Sequence, residues 1–235
     1  VIAPILIAAA GLVAGSLANL PVERLPAMIL EGEGGARTPG RPWRAGRRVF
    51  MGLATAGLFA LAFYRYEGDW LRVSASAVFA AAFLALAVID LENQLLPDLI
   101  VLPGLIAALA ISPFLDHLSP WDGAAGAAFG FLVFLPIWGW AALTGREGRI
   151  MGFGDLKFTA MMGAVLGLQF LGVALYAGVL LGGAVAAGLL AGRALFPDTL
   201  GRLRVMPYGT FLAAGGLIAL FYGRPVVQRV IDFLG

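Results

Sequence analysis

Two aspartates stand apart from the other acidic side chains of this sequence. Asp90 closes the apolar run from Val78 to Ile89, and Asp155 opens another, in Met151-Gly152-Phe153-Gly154-Asp155-Leu156-Lys157. Glu31, Glu33, Glu67, Asp69, Asp116, Asp122, Glu147, Asp198 and Asp232 fall instead in the polar connections. A carboxylate beside hydrocarbon is costly, and it is kept where it is paired or does chemistry. Two carboxylates brought together do not both ionise easily; they hold a proton between them, so that one activates water while the other polarises a carbonyl. That is the chemistry of an aspartic peptidase. Gly152 and Gly154 leave the backbone bare beside Asp155, where an extended peptide could approach, although an aspartate at this place also suits a helix N-cap. Other hydrolytic chemistries lack their residues. With no cysteine and a single histidine, His117, in a connection, the sequence offers neither a thiolate zinc site nor a His-Glu-X-X-His motif, and Ser16 has no nearby base.

The elements that must position these residues are membrane helices. Hydrophobic residues make up 60% of the 235 and charged residues only 13%, against about 25% charged in a soluble domain. A bilayer span needs about 20 apolar residues, and such runs recur along the chain. They predict an all-α polytopic protein of about eight transmembrane helices: Val1 to Leu20, Val49 to Tyr66, Val73 to Ile89, Leu99 to Ile111, Gly123 to Leu143, Leu156 to Leu168, Phe170 to Leu190 and Thr210 to Tyr222, the fourth and sixth short. The first has no basic residue ahead of it and reads as a retained span, not a signal peptide. Residues 1–235 read as a single membrane-embedded domain.

Basic residues set the orientation. With both termini outside, the inside connections hold Arg24, Arg37, Arg41, Arg44, Arg47, Arg48, Arg146, Arg149, Lys157, Arg193, Arg202 and Arg204, twelve of the sixteen; Arg65, Arg72, Arg224 and Arg229 stay outside. Asp90 and Asp155 then lie at cytoplasmic helix ends at the same depth. Residues 21–48 read as a cytoplasmic loop, since the stretch from Glu31 is rich in Gly, Pro and Arg and poor in aliphatic side chains.

Four segments, in order, resemble the type IV prepilin peptidases, the prepilin leader peptidases among the Gly-X-Gly-Asp intramembrane aspartic proteases. Gly15-Ser16-Leu17-Ala18-Asn19 with Glu23-Arg24-Leu25-Pro26 is similar to the family's Gly-Ser-Phe-X-Asn and following Arg-Leu-Pro. Ile89-Asp90-Leu91-Glu92-Asn93-Gln94-Leu95-Leu96-Pro97-Asp98 resembles the segment holding its first catalytic aspartate, and Gly152-Phe153-Gly154-Asp155-Leu156-Lys157 the signature around its second. Pro207-Tyr208-Gly209-Thr210-Phe211-Leu212-Ala213 is similar to the family's Pro-Phe-Gly-Pro-Phe-Leu-Ala.

The resemblance implies that Asp90 and Asp155 are the catalytic pair of an endopeptidase of the bacterial inner membrane. Its substrate would be a prepilin or pseudopilin helix, its product a pilin freed of a basic leader at the cytoplasmic face, with membrane lipid as the other partner and no role for nucleic acid. Lys157 would balance charge at the site or snorkel from a helix end. Glu92 and Asp98 would orient Asp90 or meet the basic leader, or are solvated loop acids; Pro207, Tyr208 and Gly209 would shape the entry to the last helix. Many relatives carry two Cys-X-X-Cys pairs that bind zinc in the first cytoplasmic loop. Residues 21–48 form a short cysteine-free counterpart, so zinc is not expected, and the peptidase step needs no cofactor. N-methylation of the new N-terminus, with S-adenosylmethionine as donor, is left open. A different class of protein, a proton- or cation-coupled carrier, would use Asp90 and Asp155 as intramembrane carboxylates; against it, the sequence shows no inverted repeat with paired interrupted helices.

Overall fold

The structure, a computed structural model, describes residues 2–32, 44–115, 118–119, 121–146, 151–195 and 207–234. His117 and several of the expected cytoplasmic arginines (Arg37, Arg41, Arg149, Arg202 and Arg204) lie outside them. The described residues are helical in α1 (Ile2–Gly32), α2 (Arg44–Arg65), α3 (Trp70–Asn93), α4 (Asp98–Ile111), α5 (Asp122–Leu143), α6 (Phe153–Leu195) and α7 (Tyr208–Leu234), with a 3-10 turn at Ser112–Phe114 after α4. Six of these helices are long and apolar enough to cross a membrane, and Asp98–Phe114 is a shorter apolar segment.

Two of the expected spans are parts of one tract. The runs from Leu156 and from Phe170 are continuous in α6, which bends at Gly167. There φ is 72° and ψ is 170°, a conformation that costs an L side chain dearly and glycine little, so the glycine divides α6 into arms of residues 153–166 and 168–195. The connection expected over 21–48 is shorter than the limits of the apolar runs implied: α1 continues through Pro21 to Gly32, and α2 has already begun at Arg44. Proline inside α1 is tolerated because a membrane helix can re-satisfy the freed backbone groups locally.

The architecture is a bundle around α3, which is 72% buried over its most apolar window, against at most 44% for any other long helix described. Lipid offers no hydrophobic drive between helices, so small residues that admit close backbone approach do much of the joining. Gly11 and Gly15 on α1 meet the α2 backbone; a Cβ at Gly15 would stand 2.8 Å from Gly52 Cα and 2.9 Å from Thr55 Oγ1. Around α3, Phe83 meets Phe158 of α6 edge to face at 5.6 Å, beside buried Met161, Met162 and Leu212. The outer faces stay apolar and open, with Leu6, Leu99, Ile106 and Leu143 all well exposed. Lipid suits them, whereas water would make such faces an aggregation hazard.

Candidate active site

The end of α3 and the starts of α6 and α7 converge. α3 closes with Gln94 in the left-handed conformation (φ 54°, ψ 44°), its N–H bonded to Asp90 O at 2.7 Å. Residues 94–97 then turn the chain into α4, and Leu96 is buried in that turn. Leu96 is the hinge of the site: a Cβ on Gly154 would come within 3.1 Å of Leu96 Cβ, and one on Gly209 within 3.1 Å of Leu96 Cδ1. The glycine before Asp155 and the glycine beside Asp90 therefore pack on one side chain.

Asp90 and Asp155 are among the few buried charged residues, 5% and 8% exposed. Asp90 Oδ2 accepts the Thr210 N–H at 2.7 Å and lies 3.0 Å from the Thr210 hydroxyl. Gly209 is held against the same carboxylate, where an added Cβ would sit 3.0 Å from Asp90 Cγ. Asp155 is in the first turn of α6 and accepts the Gly152 N–H at 3.0 Å on Oδ2, while its own N–H donates to Gly152 O at 3.1 Å. The Gly-Phe-Gly-Asp segment is thus a tight turn that caps the helix with the aspartate's own side chain. Asp90 is near enough to act electrostatically on Asp155, and Asp155 acts in the same way on Tyr208, whose ring meets Phe134 edge to face at 5.8 Å. Two buried carboxylates from distant parts of the sequence are thus brought to one region of the fold, each held by a backbone N–H.

A profile of the type IV leader peptidase family matches residues 77–191, a stretch that contains both aspartates. The chain is 32% identical over 216 residues to the prepilin leader peptidase/N-methyltransferase of Pseudomonas aeruginosa, covering 92% of this chain and 72% of the relative. It is 37% identical over 184 residues to that of Bacillus subtilis, covering 76% and 67%. The chain belongs to the prepilin leader peptidase family. The protein of the same name from Pseudomonas putida is 38% identical over 155 residues, a match that takes in 66% of this chain and about half, 51%, of the relative. No solved structure matches. Bacterial relatives and several long apolar helices make this family member a multi-pass protein of a bacterial inner membrane.

The remaining expected site residues divide. Glu92 does not reach the pair: two positions beyond Asp90 on a helix, it points to another face. Its side chain, 7% exposed, bonds Arg47 Nη1 at 2.7 Å. Arg47 is itself buried and also bonds Glu23 Oε1 at 2.9 Å and Asn19 Oδ1 at 3.0 Å. Glu92 therefore ties α3 to α1 and α2, and it is neither a solvated loop acid nor a ligand of Asp90. Asp98 and Lys157 bond each other at 2.6 Å, joining the starts of α4 and α6. Gly152 is part of the Asp155 turn, and Gly154, which stays partly exposed, packs the side that would bear a Cβ against Leu96. Pro207 precedes α7, and Tyr208 and Gly209 open it against the pair.

Thr210 is the contact that sequence reasoning passed over. Its signal was a departure, since the family segment carries proline there and a proline has neither the N–H nor the hydroxyl. Among the described residues no group of three or more His, Cys, Asp and Glu could hold a metal, and with no cysteine in the chain the thiolate zinc site of relatives does not fit these residues.

Proposed function

We propose that this protein is an aspartic endopeptidase of the Gly-X-Gly-Asp type that removes the basic leader from type IV prepilin or pseudopilin precursors at the cytoplasmic membrane face. The observation that carries the reading is the convergence of Asp90 and Asp155, buried and hydrogen-bonded, on the turn around Leu96. In this reading the chain crosses the bilayer eight times with both termini outside: the short apolar α4 and the two arms of α6 on either side of Gly167 count as separate passes. The substrate's hydrophobic helix lies among the spans, and its scissile bond reaches the aspartates where α3, α6 and α7 meet.

The chemistry follows from the pair. The ionised carboxylate takes a proton from water as the oxygen attacks the carbonyl carbon, while the protonated partner gives its proton to the carbonyl oxygen. Collapse of the tetrahedral diol breaks the C–N bond, and the amine leaves with a proton returned by the pair. No metal enters these steps. Methylation of the new N-terminus, an activity in the relatives' names, is proposed as a second step. S-adenosylmethionine would supply the methyl group.

The test is cleavage of a prepilin by purified wild type, Asp90→Asn and Asp155→Asn in detergent, read by mass spectrometry. Each substitution keeps shape but removes a proton carrier, and a loss of about 10³-fold is expected. Cleavage by either folded variant at the wild-type rate would refute the assignment. A parallel tube with S-adenosylmethionine reports methylation as the added mass of one methyl group.

A further inference from the structure

The end of the bundle opposite the aspartates holds a hollow of about 220 Å³ lined by Arg65, Tyr66, Glu67, Asp69, Arg72 and Arg224. Asp69 caps the start of α3 and Asp90 lies near its end, so at 1.5 Å per residue the hollow is about 30 Å from the pair. The last turn of α2 supplies Arg65, the first turn of α3 supplies Arg72, and α7 supplies Arg224. Among the described residues none of the three is in an ion pair.

Two of the arginines are held in place without being neutralised. Arg65 Nε donates to Phe221 O at 3.0 Å, which leaves its Nη groups for another acceptor. Arg72 lies over the Tyr66 ring, 4.3 Å from its centre, and the Tyr66 hydroxyl donates to Leu220 O. Arg224 is exposed and makes no hydrogen bond or ion pair with any described residue. Two acids share the rim, but Asp69 Oδ1 is engaged by the Arg72 N–H at 2.9 Å. Three guanidinium groups against two carboxylates leave the hollow net positive.

Depth and lining narrow the ligand. Tyr64 and Trp70, 66% and 62% exposed, flank the hollow in sequence, and exposed aromatics of this kind mark the headgroup level of a bilayer. The same three arginines also rim a narrow apolar cleft beside Phe79, Val165, Leu166 and Ala219, whose volume of about 20 Å³ has no room for an acyl chain, so what the hollow itself recognises is the headgroup. Guanidinium forks match phosphate oxygens in bidentate geometry. We propose that the hollow binds the phosphate of an anionic phospholipid headgroup, in the leaflet opposite the aspartates. This site stands whether or not the peptidase reading does.

Native mass spectrometry of the detergent-purified protein, titrated separately with phosphatidylglycerol, phosphatidylcholine and inorganic phosphate, tests it. Phosphatidylglycerol should be retained in preference to phosphatidylcholine. Arg72→Gln and Arg224→Gln should each weaken that retention about tenfold, the effect of one charge-assisted hydrogen bond. Arg229→Gln, on the same helix outside the hollow, should leave it unchanged. Arg224→Gln removes no hydrogen bond to a described residue, so it keeps the fold and its result can be read directly. Equal retention of phosphatidylcholine, or full retention of phosphatidylglycerol by Arg224→Gln, would overturn the site. Displacement of the lipid by equimolar inorganic phosphate would overturn the lipid and leave a free-phosphate site.

Discussion

The Thr210 hydroxyl has one hydrogen and two acceptors at 3.0 Å, Ala87 O and Asp90 Oδ2. When Asp90 is ionised the hydroxyl can donate to it, joining the backbone N–H at 2.7 Å; when Asp90 is protonated, the hydroxyl can turn to Ala87 O and accept. One side chain thus serves both protonation states that a general acid and base must pass through. Thr210→Val keeps the N–H and loses this exchange, so the cleavage rate should fall about tenfold, while Thr210→Ser should stay close to wild type in the same assay. Equal rates for Val and Ser would show that the backbone N–H alone positions Asp90. At this scale the sequence was most informative about the aspartates themselves, because a carboxylate bounding an apolar run is rare enough to be noticed. Thr210 was not visible in that way. A threonine at the start of a helix is ordinary until tertiary packing puts it 120 positions away from its partner.

Arg47 acts between elements. It is one residue of α2, yet its guanidinium reaches Asn19 and Glu23 on α1 and Glu92 on α3. Three helices are therefore held at the end of the bundle where Asp90 lies. Arg47→Gln would leave Glu92 buried without a cation, and stability should drop by about 3–5 kcal/mol. For a chain of this length that corresponds to a fall of about 10 °C in the melting temperature. A double change, Arg47→Gln with Glu92→Gln, should recover much of the loss, because removing both charges leaves neither stranded; thermal unfolding in detergent measures both. Apolar runs had located the helices, since length and hydropathy are set by the bilayer. Their ends were not legible. α1 runs on to Gly32, past the end of the apolar run at Leu20, and Arg47, counted as a topology signal, is a buried clamp. Composition reports the solvent a segment tolerates, whereas a clamp depends on which helices pass beside it.

For the whole molecule, the cysteine-free sequence separates this chain from relatives with a thiolate zinc site. Catalysis by the aspartates predicts that leader cleavage is unchanged by EDTA and by thiol-alkylating reagents; a loss in EDTA that zinc restores would place a metal in the reaction. The same lack of cysteine allows the orientation of the bundle to be tested with no background labelling. Glu67 lies between α2 and α3, next to the arginine hollow, and Arg146 follows α5; both are exposed. Eight crossings with both termini outside put Glu67 outside and Arg146 inside. They also put the aspartates, about 30 Å along α3 from the hollow, at the inner face. In intact cells an impermeant maleimide should therefore label Glu67→Cys but reach Arg146→Cys only after permeabilisation. The reverse pattern would invert the molecule and move the catalytic end to the outer face, where no cytoplasmic leader could reach it. Labelling of both from outside would mean an even number of crossings between them, so that α3, α4 and α5 could not all span.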